Sequence, residues 1–456
     1  MTGNRYQLGD TIAAIATPAG EGGVGIVRLS GPQSLVIARD ICGGRSATPW
    51  RPRHAYLRRF LGYHGQVLDH GIVLYFPAPN SFTGEDVVEL QGHGSPVVLH
   101  LLLQRAIGLG ARLARPGEFS ERAFLNRRMD LAQAEAIADL IHARSEAQAR
   151  AAIASMEGQF SSAVTSLRSA ILQALALAEA SLDFSEEDLG GSHREILHQA
   201  LQALRLQTEE ILRPCRAGAR LSHGARVVLA GRPNVGKSSL LNALAQRESA
   251  IVTPVPGTTR DILREEILVD GLPVELLDTA GLHDDTDDLV EQEGIRRSRA
   301  AMESAQWILL LADARAGWLP ADQEILAGLD SRRCTIVWNK VDLVEQSPCL
   351  SSCCAQISVS ARTGHGLEQL EQHLSASLGG APQEGSVFSA RTRHLQALQE
   401  CHDALLAGDR LLEHSGPEEL LAQSLREAAH ALSRVTGEMG VEEILGEIFS
   451  RFCIGK

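Results

Sequence analysis

Lysine is almost missing from this chain of 456 residues: Lys237, Lys340 and Lys456 stand against 40 arginines. Where either cation serves, this sequence uses Arg, so the three positions that kept Lys are candidates for needing a compact ammonium on a flexible stem. Aromatics are scarce at 4%, which argues against a nucleic-acid surface built mainly from stacking platforms. No run approaches 18 apolar residues, so no membrane span is expected, and Val97 to Leu103 reads as a buried helix. Met1 to Asp10 lacks a basic-then-apolar secretory pattern. The eight cysteines show no paired CxxC spacing and no framework rhythm, which predicts a reduced, cytosolic (cytoplasmic) protein. Positive charge is also in deficit: 43 basic against 56 acidic residues leave a net charge of −13, which excludes a general phosphate-backbone binder.

What is present divides into segments. At roughly 150 residues per domain the length predicts about three domains. A Pro-Gly turn in Arg115 to Phe119 separates a mixed, Gly-containing region from an Ala-, Leu-, Gln- and Glu-rich one over Ala123 to Leu182. Ser185 to His193 ends that helical stretch, Arg194 to Leu212 reads as another helix, and Pro214 to Gly224 reads as a linker. Strand–loop–helix alternation then runs to about Leu378, the pattern of an α/β domain with a largely parallel sheet. Gly379 to Pro382 leads into a second Leu/Ala-rich helical stretch over Phe388 to Leu432. The simplest arrangement is a helical domain interrupted by an inserted α/β domain. The boundaries are 1–120, 121–217, 218–380 and 381–456. Asp284 to Asp288 reads as a solvated loop.

The inserted domain carries chemistry. The apolar strand Val227 to Ala230 runs into Gly231-Arg-Pro-Asn-Val-Gly-Lys237-Ser238, a G-x-x-x-x-G-K-S loop between strand and helix. Its backbone N–H groups and the following helix N-terminus suit phosphate, Lys237 reaches the β/γ oxygens, and the Ser238 hydroxyl can sit on Mg²⁺. Asp278-Thr279-Ala280-Gly281 follows a second strand and suits Mg²⁺ and the γ-phosphate. Between them, Gly257-Thr258-Thr259-Arg260-Asp261 supplies Thr259 as the second hydroxyl on Mg²⁺. A third strand enters Asn339-Lys340-Val341-Asp342, whose carboxylate can accept two N–H bonds from a guanine edge; adenine would leave the buried Asp342 unpaired. Ser360-Ala361 can offer backbone N–H to the guanine oxygen. Five motifs in this order predict GTP as ligand.

The hydrolytic part is unusual. Leu282 follows the glycine where Ras-type switches place a water-orienting Gln. Either hydrolysis is very slow, or other groups supply a carboxylate and a positive charge. Asp284, Asp285 and Glu291 are candidates for the first. Arg260 is a candidate for the second and reads equally as a surface arginine.

These residues resemble the TRAFAC-class GTPases, and more narrowly the MnmE/TrmE family of tRNA-modification GTPases. The narrow likeness rests on Asp10-Thr-Ile-Ala-Ala-Ile-Ala-Thr-Pro18 through Gly22 to Arg28, on Phe82-Thr-Gly-Glu-Asp-Val-Val-Glu89-Leu-Gln-Gly-His-Gly94 and on Arg115 to Phe124. It continues through Asp130 to Asp139 and ends with Phe452-Cys-Ile-Gly-Lys456. The resemblance implies a multidomain α+β and α/β chain: an N-terminal folate-binding, dimer-forming α+β domain, a helical domain, and an inserted Ras-like G domain with a mostly parallel sheet. It implies a homodimer that works with the FAD-dependent partner MnmG (GidA), as a heterotetramer, on C5 of the wobble uridine of certain tRNAs. The group added is of the aminomethyl or carboxymethylaminomethyl type, and 5,10-methylene- or 5-formyl-tetrahydrofolate is the one-carbon carrier.

Carried over motif by motif, the resemblance implies GTP contacts from Asn234, Val235, Gly236, Lys237, Ser238 and Ser239, and from Thr253, Val255, Thr258 and Thr259. Further contacts fall on Asp278, Thr279, Ala280, Gly281, Asn339, Lys340, Asp342, Ser360 and Ala361. It implies stimulation by K⁺ held by Asn234, Thr253, Val255 and Thr258, an ion that supplies the charge an arginine finger would give. Asn234 read alone is a loop-geometry residue. Glu291 becomes the catalytic, water-orienting acid beside Lys237, with Glu293 as fallback because this sequence carries an extra residue after Asp278 to Gly281. The folate set is Arg28, Glu89, Arg128 and Lys456, with Cys453 a further suspect; Arg28 and Arg128 read alone are surface arginines. His93, between two glycines, reads as structural, and Cys349, Cys353 and Cys354 receive no role.

Residues 1–120 hold 11 arginines and eight acids, a mild positive balance that fits RNA contact. A switch in ribosome assembly, of the Era or Der type, is the alternative reading. It predicts an RNA-binding appendage with a GxxG-bearing KH fold, and it leaves Arg28, Glu89 and the terminal motif unexplained.

Overall fold

The computed structural model describes residues 9–44, 50–183, 190–247, 264–278, 302–352, 354–379, 387–414, 416–437, 445, 448–449, 452 and 455. The chain divides into two compact units, one of residues 1–138, 156–201 and 403–456, the other of 139–155 and 202–402.

In the first unit, β1 (Ile12–Ile15), β2 (Gly22–Ser30), β3 (Tyr56–Leu61), β4 (Val67–Phe76), β5 (Val87–Gly94) and β6 (Arg112–Leu113) form one sheet in the order β3-β4-β5-β2-β1-β6. All neighbours are antiparallel except β1 and β6. Strict alternation sorts the side chains of β2: Gly25, Val27 and Leu29 are buried, while Ile26 and Arg28 point to the other face. Val27 and Leu29 join Phe60, Val73, Val88 and Leu90 in a core closed by α1 (Ser34–Ile41) and α2 (Pro96–Gly108). The stretch predicted as a buried helix is the start of α2, but only one side of it is buried. Leu99, Leu102, Leu103 and Ala106 face the sheet at helical spacing, while Val97 and Leu101 are exposed. The opposite sheet face carries a smaller cluster of Ile12, Ala14, Ala114 and Phe119, with Phe82 against it.

The helical part runs through α3 (Glu118–Leu125), α4 (Leu131–Ile141), α5 (Glu146–Met156), α6 (Gln159–Asp183) and α7 (Gly190–His223). The long helix α6 is apolar enough to pass a length-and-composition test for a membrane span. Its buried residues Phe160, Val164, Leu167, Ile171, Ala174 and Ala178 alternate in steps of four and three, the stripe of a bundle helix.

The second unit holds β7 (Ala225–Ala230), β8 (Arg264–Val269), β9 (Leu272–Asp278), β10 (Trp307–Asp313), β11 (Cys334–Asn339) and β12 (Ala355–Ser358), in the order β12-β11-β10-β7-β9-β8. Every pair is parallel except β8 with β9. Runs such as Val227 to Ala230 and Ile308 to Ala312 are continuously apolar because the sheet is covered on both faces. α8 (Lys237–Arg247) and α10 (Leu367–Ser377) pack on one face, and the residues around α9 (Pro320–Ala327) on the other. This is the α/β domain with a mostly parallel sheet that the strand–helix alternation predicts.

Residues 214–224 are not the linker that Pro214 suggested. Pro214 lies inside α7, which continues to His223 and abuts β7. Burial of Leu212, Cys215 and Ala219 on one side of that helix outweighs the local penalty of an internal proline.

Gly218 marks the closest approach on α7: a Cβ there would stand 1.7 Å from the Phe388 carbonyl oxygen. A helical Gly→Ala change ordinarily stabilises by up to about 1 kcal/mol. Gly218→Ala is expected to destabilise instead, by roughly 1–3 kcal/mol. Gly408→Ala, where the nearest atom is Leu421 Cδ1 at 3.2 Å, is expected to be neutral or stabilising. Urea unfolding of both variants checks the contrast, and an equal effect at the two sites would contradict it.

Candidate nucleotide and folate sites

The parallel strands of the second unit end on one edge, and their last residues are the motif residues: Asp278 closes β9, Asp313 closes β10, Asn339 closes β11, and β7 runs into the 231–236 loop. In an open parallel sheet that edge is where ligands bind. Gly231, at φ 140°, lets the loop pass Leu311, whose carbonyl oxygen would lie 2.5 Å from a Cβ. Gly236, at φ 97°, admits the Asn339 amide, which a Cβ would meet at 2.4 Å. Between them Asn234 takes φ 64°, a conformation in which Asn is several-fold enriched, so its loop-geometry role is physical.

Lys237 is the first residue of α8 and is 7% exposed. Its Nζ donates to the carbonyls of Gly231 at 2.9 Å and Arg232 at 3.0 Å. Burial pushes its pKa down, and the nearby Asp278 carboxylate opposes that shift. A cation at a helix N-terminus opposes the macrodipole, so the arrangement suits an arriving polyanion. Ser238 Oγ donates to Asp278 Oδ2 at 2.6 Å, while Asp278 Oδ1 is buried with no hydrogen-bond partner among the described residues. A hydroxyl beside an orphaned buried carboxylate oxygen is an all-oxygen donor set that fits Mg²⁺ and its water shell.

The base-reading half is tied to this loop. Asn339 is buried; its Nδ2 donates to the Val235 carbonyl at 2.9 Å, and its Oδ1 accepts from Lys340 N at 2.8 Å and Ala361 N at 3.2 Å. Lys340 Nζ donates to the Asn234 carbonyl at 2.6 Å and to Asp313 Oδ2 at 2.9 Å. Burial would raise the Asp313 pKa, but the Lys340 ammonium and the Arg315 N–H hold it below the usual carboxylate range. Asp342 is exposed, not buried as the sequence suggested, because it lies in the short turn Val341–Leu343 after β11 and not in the strand; its Oδ1 accepts from Ser360 Oγ at 2.7 Å. Asn234, Val235, Gly236, Lys237, Ser238, Asp278, Asn339, Lys340, Asp342, Ser360 and Ala361 therefore come together; Ser239 follows on α8. Thr253, Val255, Thr258, Thr259, Thr279, Ala280, Gly281, Glu291 and Glu293 lie outside the described residues, as do Arg260, Leu282, Asp284 and Asp285.

Two residues of this edge, Arg232 and Asp322, form a pair that the motif does not predict. Arg232 Nε donates to Asp322 Oδ1 at 2.7 Å, and Asp322, fully buried, also accepts from Leu319 N at the start of α9. The pair anchors the loop whose Arg232 carbonyl holds Lys237. Arg-Pro inside the motif was legible, but its acid lies 90 residues away and has no local signal.

In the first unit, Arg28 and Glu89 face each other across β2 and β5. Arg28 Nε and Nη2 donate to Glu89 Oε1 at 3.0 and 2.9 Å, its Nη1 donates to the Gly455 carbonyl at 3.3 Å, and Gln91 Nε2 donates to Glu89 Oε2 at 3.1 Å. The Arg28 guanidinium lies 5.9 Å from the Phe82 ring centre and 5.8 Å from that of Phe119. Phe82 also walls a cavity of about 470 Å³ shared with Arg53, Phe76 and Arg128. Gly84, at φ 79°, leaves space for Arg128, whose Cγ would stand 3.2 Å from a Cβ. Arg28 and Glu89 are thus a half-buried ion pair, so Arg28 is not a free surface arginine. Among the described residues that cavity is lined by the rings of Phe76 and Phe82 and the cations Arg53 and Arg128, which fit a flat ring with an anionic tail, but not by Arg28 or Glu89. Arg53 was missed because its segment carries no motif. Cys453 and Lys456 lie outside the described residues.

Beside this pair is a charge network that the Arg115 to Phe124 motif did not announce. Arg122, 5% exposed, donates to Asp10 and Glu85, and Glu118, 2% exposed, accepts from Arg112 and from the Arg115 N–H. Burial would raise the Glu118 pKa, but those donors bring it down to about 2. Ser30 Oγ donates to Glu85 at 2.7 Å, so the network holds the loop carrying Phe82 and Gly84 against β2. His93 Nδ1 pairs with Asp69 Oδ1 at 2.7 Å, which agrees with a structural role.

Family comparisons agree with this geometry. A profile described as the MnmE helical domain matches residues 131–453, and one described as the GTP-binding protein TrmE N-terminus matches residues 11–128. The chain is 50% identical to the tRNA modification GTPase MnmE of Nitrosococcus oceani, over 99% of this chain and 98% of that protein. It is also 50% identical to the proteins of the same name from Hydrogenovibrio crunogenus (99% of this chain, 100% of that protein) and Pseudomonas aeruginosa (98% and 99%). A guanine-type phosphate cradle and an Arg–Glu pocket in one chain, with relatives at half identity along its full length, have one reading: the chain belongs to the MnmE/TrmE family of GTPases.

Proposed function

We propose that this chain couples GTP hydrolysis to folate-dependent modification of tRNA in the cytoplasm. With an FAD-dependent partner of the MnmG type, it adds an aminomethyl or carboxymethylaminomethyl group to C5 of wobble uridine. It acts as a homodimer that joins the partner in a heterotetramer. The domains are an N-terminal folate and dimer region (1–120), a helical domain in two parts (121–217 and 381–456) and the GTPase domain between them (218–380). The observation that carries the reading is the half-buried Arg28–Glu89 pair, with the carbonyl of Gly455 on Arg28, in the same chain as the nucleotide cradle. A nucleotide switch alone needs only the second of these.

The chain's own groups divide the work. Lys237 exchanges the carbonyls of Gly231 and Arg232 for β/γ-phosphate oxygens, and Asp342 reads the base. Ser238 and Thr259 hold Mg²⁺, with Asp278 behind them. Leu282 has no polar atom to orient water, so that role falls to Glu291, with Glu293 behind it. K⁺ on Asn234, Thr253, Val255 and Thr258 would supply the positive charge that stabilises the transition state. Glu89 pairs with the pterin edge of a tetrahydrofolate (5,10-methylene or 5-formyl), and Arg28, Arg128 and Lys456 meet its anionic tail.

GTP hydrolysis is expected to run faster in K⁺ than in Na⁺ at equal ionic strength, and equal steady-state rates would remove the potassium mechanism. Mass spectrometry of tRNA nucleosides from cells lacking this chain tests the modification itself. Loss of the C5 aminomethyl-type wobble uridines is the expected result. Their persistence without a redundant enzyme would overturn the reading.

A further inference from the structure

The C-terminal half of α7 carries a charge pattern that neither the nucleotide cradle nor the folate pocket uses. Between Ile211 and His223 it holds Arg213, Arg216 and Arg220 and no carboxylate, in a chain whose net charge is −13. Spacings of three and four residues put the three guanidinium groups on one helix face, about 10 Å from first to last at 1.5 Å per residue. All three are exposed. Like charges at these spacings repel and weaken a helix, so the pattern has a cost in the free protein.

The same face lines a groove of about 550 Å³ against α11 (Thr392–Glu413), where Gln399 and His402 form the other wall. Arg216 Nη2 donates to Gln399 Oε1 at 2.9 Å, which fixes one guanidinium in the groove with donors to spare. Gly379 lets Arg220 lie against the backbone: a Cβ at that glycine would stand 2.4 Å from Arg220 Nη1. Glu209 is the one acid that lines the groove, and His402 Nε2 meets it at 3.3 Å. Among the described residues the lining has no Phe, Tyr or Trp. A docking site for protein would be built around an apolar, aromatic-rich centre. A row of planar, forked donors without one suits phosphate oxygens.

We propose that the α7–α11 groove binds the phosphate backbone of the tRNA, without reading its sequence. The proposal rests on the tRNA reading above and adds the surface that meets the RNA. It also explains how a chain with a net negative charge contacts a polyanion: through a local cationic row and not through overall charge.

The test uses the full-length chain and deacylated bulk tRNA, with binding followed across a NaCl series. Each phosphate contact contributes about 0.7–0.9 to the slope of log affinity against log salt. The variant Arg213→Gln/Arg216→Gln/Arg220→Gln is expected to bind at least about tenfold more weakly at physiological salt, with a slope lower by about 2–3. The matching triple Arg→Lys variant is expected to keep most of that slope, which a purely structural Arg216–Gln399 bond would not predict. Arg150→Gln on α5 is the control for general charge loss, and GTP turnover without tRNA reports that each variant is folded. Unchanged affinity and slope in the triple Gln variant would overturn the proposal. Loss of the FAD-dependent partner with tRNA binding intact would reassign the groove to protein. A wild-type chain that binds no tRNA would instead defeat the tRNA reading, and the groove proposal with it.

Discussion

The contact on which the nucleotide site depends is the buried ammonium of Lys237, held by two carbonyls of its own loop. A cation enclosed at the first residue of a helix is opposed by desolvation and by the helix dipole alike. The loop answers with backbone oxygens that an incoming phosphate can replace at little reorganisation cost. Everything around it fixes those oxygens: Gly231 lets the loop pass Leu311, Arg232 is anchored on the fully buried Asp322, and Asn339 grips the Val235 carbonyl. The base-reading residues are therefore fastened to the phosphate loop directly, through Asn339 and through Lys340 on the Asn234 carbonyl. A change of nucleotide contact at one end has a short, hydrogen-bonded route to the other.

The first unit solves a different problem with a sheet. Alternation along β2 separates an apolar face, which builds the core, from a face that carries Arg28, and the β2–β5 register sets Glu89 opposite it. Arg28 is flanked by Phe82, Phe119 and the Gly455 carbonyl, so a residue 427 positions away in the sequence reaches the charged pair. The network of Arg122, Glu118, Glu85 and Asp10 braces that face, with Arg122 paired to all three carboxylates. Removing one member would leave a buried partner uncompensated.

Much of this was legible in the sequence. The strand–loop–helix setting, the order of the nucleotide motifs and the strand ends at Asp278 and Asn339 follow from apolar runs and glycines whose roles are local. Two of the three lysines, Lys237 and Lys340, lie in one hydrogen-bonded site, as their rarity suggested. The illegible parts are long-range. Asp322 as the anchor of Arg232, Asp313 as the partner of Lys340, and Arg53 beside Arg128 are separated by tens of residues and share no local pattern. Pro214 misled because a proline marks a break only when tertiary packing does not compensate, and here one side of α7 is buried through it.

The central claim is that a preformed loop, with Lys237 ready for phosphate, is coupled to a carboxylate that admits guanine alone. Calorimetric titration of the full chain with Mg²⁺·GTP and with Mg²⁺·ATP measures this directly. The account predicts that GTP binds at least about tenfold more tightly, because adenine offers the Asp342 carboxylate no pair of N–H donors, while its exposure lets water offset part of that loss. Equal affinities for the two nucleotides would contradict it.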